Sequence, residues 1–326
     1  MVKCLEPCSN RKSKFNGEAS NAGRISMSHP CKCLMFCFHR PGSRDHESRC
    51  PPVASAGKIS DPDACEQEDN IVAGQDEGGK DSLWVEIQEE SRADVAGEPM
   101  LAGYYRESIL SHDSLEKALG NHLSIKLSDS NLPQHTLRDI FDAVLSGDPE
   151  IVKSTRSDLR AVRERDPACI SYVHCLLNSK GFLACQAHRI AHKLWSQGRH
   201  VIALLIQNRA SEVFAVDIHP GARMGQGLLL DHATGLVVGE TAMVGNNVSI
   251  LHNVTLGGTG KSSGDRHPKI GNGVLVEAGT YILGNIRIGD GAKIRAGSVV
   301  LKDVPPRATA MGNPAKIKET PSVSMD

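Results

Sequence analysis

The chain has 326 residues and carries 37 Lys and Arg against 38 Asp and Glu, a formal net charge of −1. So even a balance leaves no general basic surface for a polyanion, which argues against nucleic acid as a principal partner. The longest unbroken aliphatic run, Val201 to Ile206, is six residues, against the ~20 needed to cross a bilayer, so no integral membrane protein is expected.

Residues 1–60 hold ten Lys and Arg against four Asp and Glu, and residues 61–98 reverse the sign with thirteen acidic against two basic. Neither stretch keeps an apolar period, so residues 1–81 are expected to form a largely disordered leader. Its basic, Ser-containing start reads as either an organelle transit segment, for a plastid or mitochondrion, or a retained cytosolic tail. Seven of the ten cysteines lie within the first 65 residues. With no secretory signal ahead of them, free thiols in a reducing compartment are expected. Cys31, Cys33, Cys37 and His39 match no structural zinc spacing, and no metal site is expected there.

From residue 82 to about 210 the pattern is helical. Ile109 and Leu110 recur at helical spacing with Tyr104, and Asp113 with Glu116 predicts a capping box ahead of Leu115, Ala118 and Leu119. Pro133, Gly147-Asp148-Pro149 and Asp166-Pro167 punctuate the segments that follow. Gly181 to Gln197 reads as one helix. His188 and His192 lie one turn apart on it, but Arg189 stands where a zinc-protease motif has Glu, so they are expected as packing or interface histidines.

Beyond residue 210 the period changes to six. Ile218, Met224 and Leu230 form one in-phase block; Val238, Val244, Ile250 and Leu256 a second; Ile270, Val276, Ile282, Ile288, Ile294 and Val300 a third. Residues 213–312 hold 18 of the 31 glycines but only two aromatics, Phe214 and Tyr281, so the core must be an aliphatic ladder. A six-residue period sustained over this length predicts a parallel β-helix over residues 211–315, followed by a tail at 316–326.

Two steps break the period. Leu230 to Val238 is eight residues, and Leu256 to Ile270 is fourteen. The first holds Asp231 and His232, the second Asp265, Arg266 and His267. A regular solenoid has no structural reason to gather ionisable groups at its interruptions, so these are the candidate functional loops.

The segments Asp217–Ala222, Leu230–Gly235, Gly257–Lys261 and Gly264–Ile270, with Arg165–Ala168 and His188–Trp195 in the helical half, resemble serine O-acetyltransferase, one of the hexapeptide-repeat acyltransferases. The resemblance covers roughly residues 82–315, and the helical half is similar to the plant members. It implies an α+β chain: an N-terminal all-helical domain followed by a left-handed parallel β-helix that carries catalysis. It also implies homotrimers that pair into a hexamer, and acetyl transfer from acetyl-CoA, a co-substrate rather than a permanently bound cofactor, to L-serine.

A serine hydroxyl must lose its proton as it attacks a thioester, which needs a base with a near-neutral pKa within hydrogen-bond reach. The family's base matches His232 and its carboxylate partner Asp217; read without the resemblance, His232 is equally a turn residue. For the serine zwitterion the matching residues are Arg266 and His267 on the carboxylate side, and Asp166 and Asp231 on the ammonium side. Asp166 also reads as a helix cap before Pro167. The CoA positions match Gly258, Ala278, Lys293 and Ala296, although turns favour small residues in any case.

Two other functions compete. A zinc carbonic anhydrase on the same repeat needs three convergent histidines, which His219, His232 and His252 fit poorly. A non-enzymatic partner of O-acetylserine sulfhydrylase is opposed by the intact His232 and Asp217. Family members that dock on that enzyme end in isoleucine, whereas this chain ends Val323-Ser324-Met325-Asp326, so the charge at the tip argues against docking.

Overall fold

In a computed structural model of the chain, residues 81–260 and 263–318 are described. The leader, with its cysteines, and the last eight residues lie outside them. Helical structure comes first. It comprises α1 (Ser82–Gly97), α2 (Ala102–Tyr105) within a run of irregular turns, α3 (Leu115–Leu127), α4 (Gln134–Gly147), α5 (Pro149–Arg165), α6 (Tyr172–Asn178), α7 (Lys180–Ser196) and α8 (His200–Phe214).

The caps explain the boundaries. Ser114, one residue past the predicted Asp113, caps α3 by accepting from the Lys117 N–H. Asp148 caps α5 with Pro149 in its first turn, and Ser171 and Ser179 cap α6 and α7. Asp166 follows the end of α5 rather than starting a helix, its Oδ1 accepting from the Ala168 N–H at 2.9 Å. The last helix runs to Phe214, past the change of period near residue 210, and Ala215 ends it in the left-handed region at φ 55°.

The repeat folds into three parallel sheets visited in turn, which are the faces of a triangular prism. The first face stacks β1 (Asp217–Ile218), β4 (Val237–Val238), β7 (Thr255–Gly257), β10 (Tyr281–Leu283) and β13 (Val299–Val300). The second stacks β2 (Arg223–Met224), β5 (Met243–Val244), β8 (Lys269–Ile270) and β11 (Arg287–Ile288). The third stacks β3 (Leu229–Leu230), β6 (Ser249–Ile250), β9 (Leu275–Val276), β12 (Lys293–Ile294) and β14 (Thr309–Met311), with β15 (Lys316–Lys318) antiparallel at its end.

Register gives the two period breaks their physical meaning. Val237 pairs with Thr255 and Tyr281 with Val299, a regular coil of 18 residues. Asp217 pairs with Val237, a coil of 20, and Thr255 with Tyr281, a coil of 26. The extra residues therefore leave at the prism's edges while the ladder stays in phase. Of the thirteen predicted ladder residues only Met224 is not fully buried. Each of the others contributes about 1.5–3 kcal/mol by burial.

One buried ion pair joins helices to prism. Asp158 of α5 accepts from Arg189 Nη2 of α7 at 2.7 Å, from Gln186 Nε2 at 2.9 Å and from the Leu228 N–H at 2.9 Å. Arg189 Nη2 also donates to the Gly225 carbonyl at 2.6 Å. Asp158→Ala would strand the guanidinium and an amide together, so equilibrium denaturation should show a loss of about 3–5 kcal/mol. A loss below about 1 kcal/mol, the range of an exposed pair, would show that the pair couples nothing.

His188, next to Arg189, is buried, and that burial together with the nearby His192 and Arg189 pushes its pKa down from 6.5 to about 3. Between those values the unfolded chain takes a proton that the folded chain refuses, so stability falls as pH falls through this window. The acid limb of stability against pH should be shallower in His188→Leu by up to ~1.4 kcal/mol per pH unit. Parallel limbs in the two proteins would refute this.

Candidate active site

The first break opens at the edge where the third face turns into the first. Asp231 continues β3, donating its N–H to the Ile250 carbonyl, and His232 follows in the left-handed region at φ 55°. One position on this edge is left-handed in each of four coils: Gly235, Asn253, Gly279 and Gly297. His232 and Ala233 are both additional left-handed residues, produced by the two-residue excess, and a non-Gly residue held there stores local strain. The His232 side chain is 75% exposed, with Nε2 3.7 Å from Asp231 Oδ1.

Helix α7 holds this turn in place. A Cβ on Gly181 would lie 1.8 Å from the Leu230 carbonyl oxygen, so only glycine lets the start of α7 rest on β3. Lys180, beside it, hydrogen-bonds the Thr234 hydroxyl.

The register places three of the other predicted residues along the same side. His252, Ala278 and Ala296 succeed His232 coil by coil up the edge, with the Gly297 N–H donating to the Ala278 carbonyl at 2.9 Å. The His232 and His252 rings are 5.8 Å apart, edge to face. Lys293 stands on β12, the strand that leads into this edge. Asp166 reaches the same face because its neighbour Arg165 donates to the Asn247 carbonyl and the Ser249 hydroxyl, at 3.0 and 2.9 Å.

Asp217 opens β1 on the first face, exposed, and its Oδ1 accepts from Gln207 Nε2 of α8 at 2.6 Å. No direct hydrogen bond joins it to His232, whose nearest carboxylate is Asp231.

The second break opens at a different edge, where the first face turns into the second. Arg266 Nη2 donates to Glu240 Oε2 at 2.8 Å, and that hydrogen bond, before the general charge of the site, holds the Glu240 carboxyl below its ordinary range. His267 is buried, and burial followed by the Arg266 charge holds its pKa down. Its ring lies in the space a Cβ on Gly239 would occupy, 2.1 Å from that position, and its Nε2 is 3.7 Å from the corresponding point on Gly258. Lys269 ties the turn, donating to the Thr241 and His267 carbonyls at 2.8 Å each. Its ion pair is the first cause that lowers the Asp265 pKa.

The predicted residues thus fall into two groups. His232, Asp231, Ala278 and Ala296 share one edge, with Asp166, Asp217 and Lys293 on the faces beside it; Arg266, His267 and Gly258 share another. His219 is at that second edge against Trp195, with ring centroids 5.0 Å apart, so it does not converge with His232 and His252 within the chain. Lys269 lies in the fourteen-residue step but has no role assigned from sequence there, and Glu240 and Thr241 did not stand out in sequence because they sit inside a regular coil. Their one signal was polarity at the rung below the fourteen-residue step.

Residues 83–187 match the profile for the serine acetyltransferase N-terminal region, and residues 267–302 that for the bacterial transferase hexapeptide (six repeats). Serine acetyltransferase 1, chloroplastic, of Arabidopsis thaliana is 67% identical over 244 residues, covering 74% of this chain and 78% of that protein. The chain belongs to the serine acetyltransferase family. Serine acetyltransferase 3, mitochondrial, of the same plant is 69% identical over 237 residues, 73% of this chain but 61% of that longer protein. Soybean serine acetyltransferase complexed with serine is 62% identical, with a TM-score of 0.71 over 72% of this chain and 97% of that one. The Brucella abortus enzyme in complex with coenzyme A is 50% identical, with a TM-score of 0.72 over 73% and 95%. The fold is accordingly a helical region followed by the left-handed β-helix of hexapeptide-repeat proteins.

Gly239 is required by the position of the His267 ring. Gly239→Ala should displace that ring at a cost of about 1–3 kcal/mol, read from denaturation midpoints. An unchanged midpoint with the ring still seated in a crystal structure of the variant would disprove the constraint.

Proposed function

We propose that the chain is a serine O-acetyltransferase, moving acetyl from acetyl-CoA to the L-serine hydroxyl to give O-acetyl-L-serine for cysteine biosynthesis. The observation that carries the reading is His232, one of the two extra left-handed residues of the two-residue step, exposed beside Asp231 in a chain of this family. His232 takes the hydroxyl proton as the serine oxygen attacks the thioester carbonyl. The tetrahedral adduct then collapses, the C–S bond breaks, and CoA leaves as its thiol with the proton returned from the imidazolium. Asp217 orients the imidazole as in other His–carboxylate dyads. Gln207 donates to Asp217 in the described chain, so the proposed pairing requires Asp217 to turn from that partner to His232.

Arg266 and His267 bind the serine carboxylate, and Asp166 and Asp231 its ammonium. Acetyl-CoA runs along the small-residue edge past Ala278 and Ala296, with Lys293 and Gly258 also in contact. Because the two groups occupy different edges, one chain's Arg266 and His267 complete a neighbour's His232 site, which favours a homotrimer. Two trimers pair through the helical domains, where Met100, Tyr104 and Val201 expose apolar surface. The proposed domain division is a leader 1–81, a helical domain 82–214 and a catalytic β-helix 215–318 followed by the tail; both inner bounds move from 210 and 315 because α8 runs to Phe214 and β15 pairs with β14. Docking on O-acetylserine sulfhydrylase is not part of the proposal, because the tail lies outside the described residues. A plastid, mitochondrial or cytosolic address rests on the leader, which is equally outside them.

The test is release of CoA thiol from acetyl-CoA with L-serine as acceptor. His232→Ala should lower the rate about 10²–10⁴-fold. No serine-dependent release by the unaltered protein would sink the activity; a near-normal rate in the variant would sink only the assigned base.

A further inference from the structure

His267 is a useful ligand for a carboxylate only if its exposed nitrogen carries a proton, and an imidazole has two tautomers. The choice is made by what meets the other nitrogen. Here that partner is Thr241, one coil below and 26 residues earlier in sequence. The Thr241 backbone N–H donates to His267 Nδ1 at 3.1 Å, and the Thr241 hydroxyl lies 2.9 Å from the same nitrogen. The hydroxyl oxygen also accepts the backbone N–H groups of Arg266 at 3.1 Å and His267 at 3.2 Å.

A hydroxyl has one proton to give and two lone pairs. Both lone pairs are taken by these amides, so its proton goes to Nδ1 or to the Asp265 carboxylate, which it also helps to hold ionised. In either case Nδ1 accepts the Thr241 backbone N–H and cannot itself carry hydrogen while it does. The ring proton is placed on Nε2, the atom on the side of Gly239 and Gly258, which has no hydrogen-bond partner among the described residues. The lowered pKa of His267 agrees with a ring held neutral in this form.

We infer that Thr241 is a positioning residue for the serine site: it seats the Arg266–His267 turn and sets His267 as an Nε2–H donor to the substrate carboxylate. The inference rests on the proposed serine-binding role of that turn. Thr241 touches neither substrate nor reacting atoms; it acts through His267 and the backbone beneath Arg266. Lys269 closes the same arrangement from the other side, its ammonium bridging the Thr241 and His267 carbonyls.

Thr241→Val keeps the side-chain shape and the backbone N–H on Nδ1 but removes the hydroxyl, leaving the Arg266 and His267 amides without an acceptor and the turn unseated. It should raise the KM for serine about tenfold or more, with the KM for acetyl-CoA and kcat little changed. Thr241→Ser should restore serine KM to within about threefold of the original, because it returns the hydroxyl. A merely structural threonine predicts a different pattern: both KM values and kcat shift together with the melting temperature, and Ser rescues no better than Val. That pattern, or an unchanged serine KM in Thr241→Val, would overturn the positioning role. His267→Ala separates this from the underlying reading. If it leaves the serine KM unaltered, the serine-binding assignment of the turn falls; if it raises that KM while Thr241→Val does not, only the positioning role falls.

Discussion

The Asp158–Arg189 pair is the constraint on which the rest of the described structure depends. It is an ion pair taken almost wholly out of water, and such a pair is tolerable only when every remaining donor and acceptor is satisfied. Here the satisfying groups come from three places: Gln186 on α7, the Leu228 amide, and the carbonyls of Met224 and Gly225 at the start of the prism. The requirement to satisfy the charges therefore fixes α5 and α7 against the first coil. With those helices placed, Gly181 can rest on Leu230 and Arg165 can reach the third face.

That anchoring controls the site because both period breaks are extrusions from an otherwise rigid stack. A β-helix ladder in register tolerates extra residues only at its edges, where backbone groups can be satisfied outside the coil. The two-residue excess is too short to form a loop of its own, so it becomes a tight turn with His232 and Ala233 both left-handed. The eight-residue excess is long enough to leave and return, and its returning end is seated by Thr241 and Lys269 of the scaffold. One break yields a strained, exposed imidazole and the other a buried, hydrogen-bonded one. The same side-chain type thus meets two environments, suited to the two roles proposed for them.

Much of this was legible in the order of residues. The six-residue aliphatic period, the excess of glycine over aromatics and the places where the period fails identify the ladder and both loops, because a stacked coil must repeat its inward residue. Gly181–Gln197 as a helix was legible for the same kind of reason, and α7 runs from Lys180 to Ser196. The cap of α3 was misplaced by one residue, at Asp113 instead of Ser114, since Asp and Ser are near-equal caps and only backbone geometry chooses between them.

What the sequence by itself determined is the chemistry available and the coil on which each group resides: His232 and Asp231 at one break, Arg266 and His267 at the other. What only the tertiary structure decided is which of them share an edge. Edge membership depends on where surplus residues leave the stack, and a coil of 20 or 26 residues preserves register while redirecting side chains that a simple count would align. It also decided that Asp217 is held by Gln207, that Gly239 is empty because His267 fills its place, and that Thr241 governs the proton on that ring. Contacts between residues 10 to 28 positions apart, from helix to coil or across different rungs, have no periodic signature. They exist only once the prism is closed.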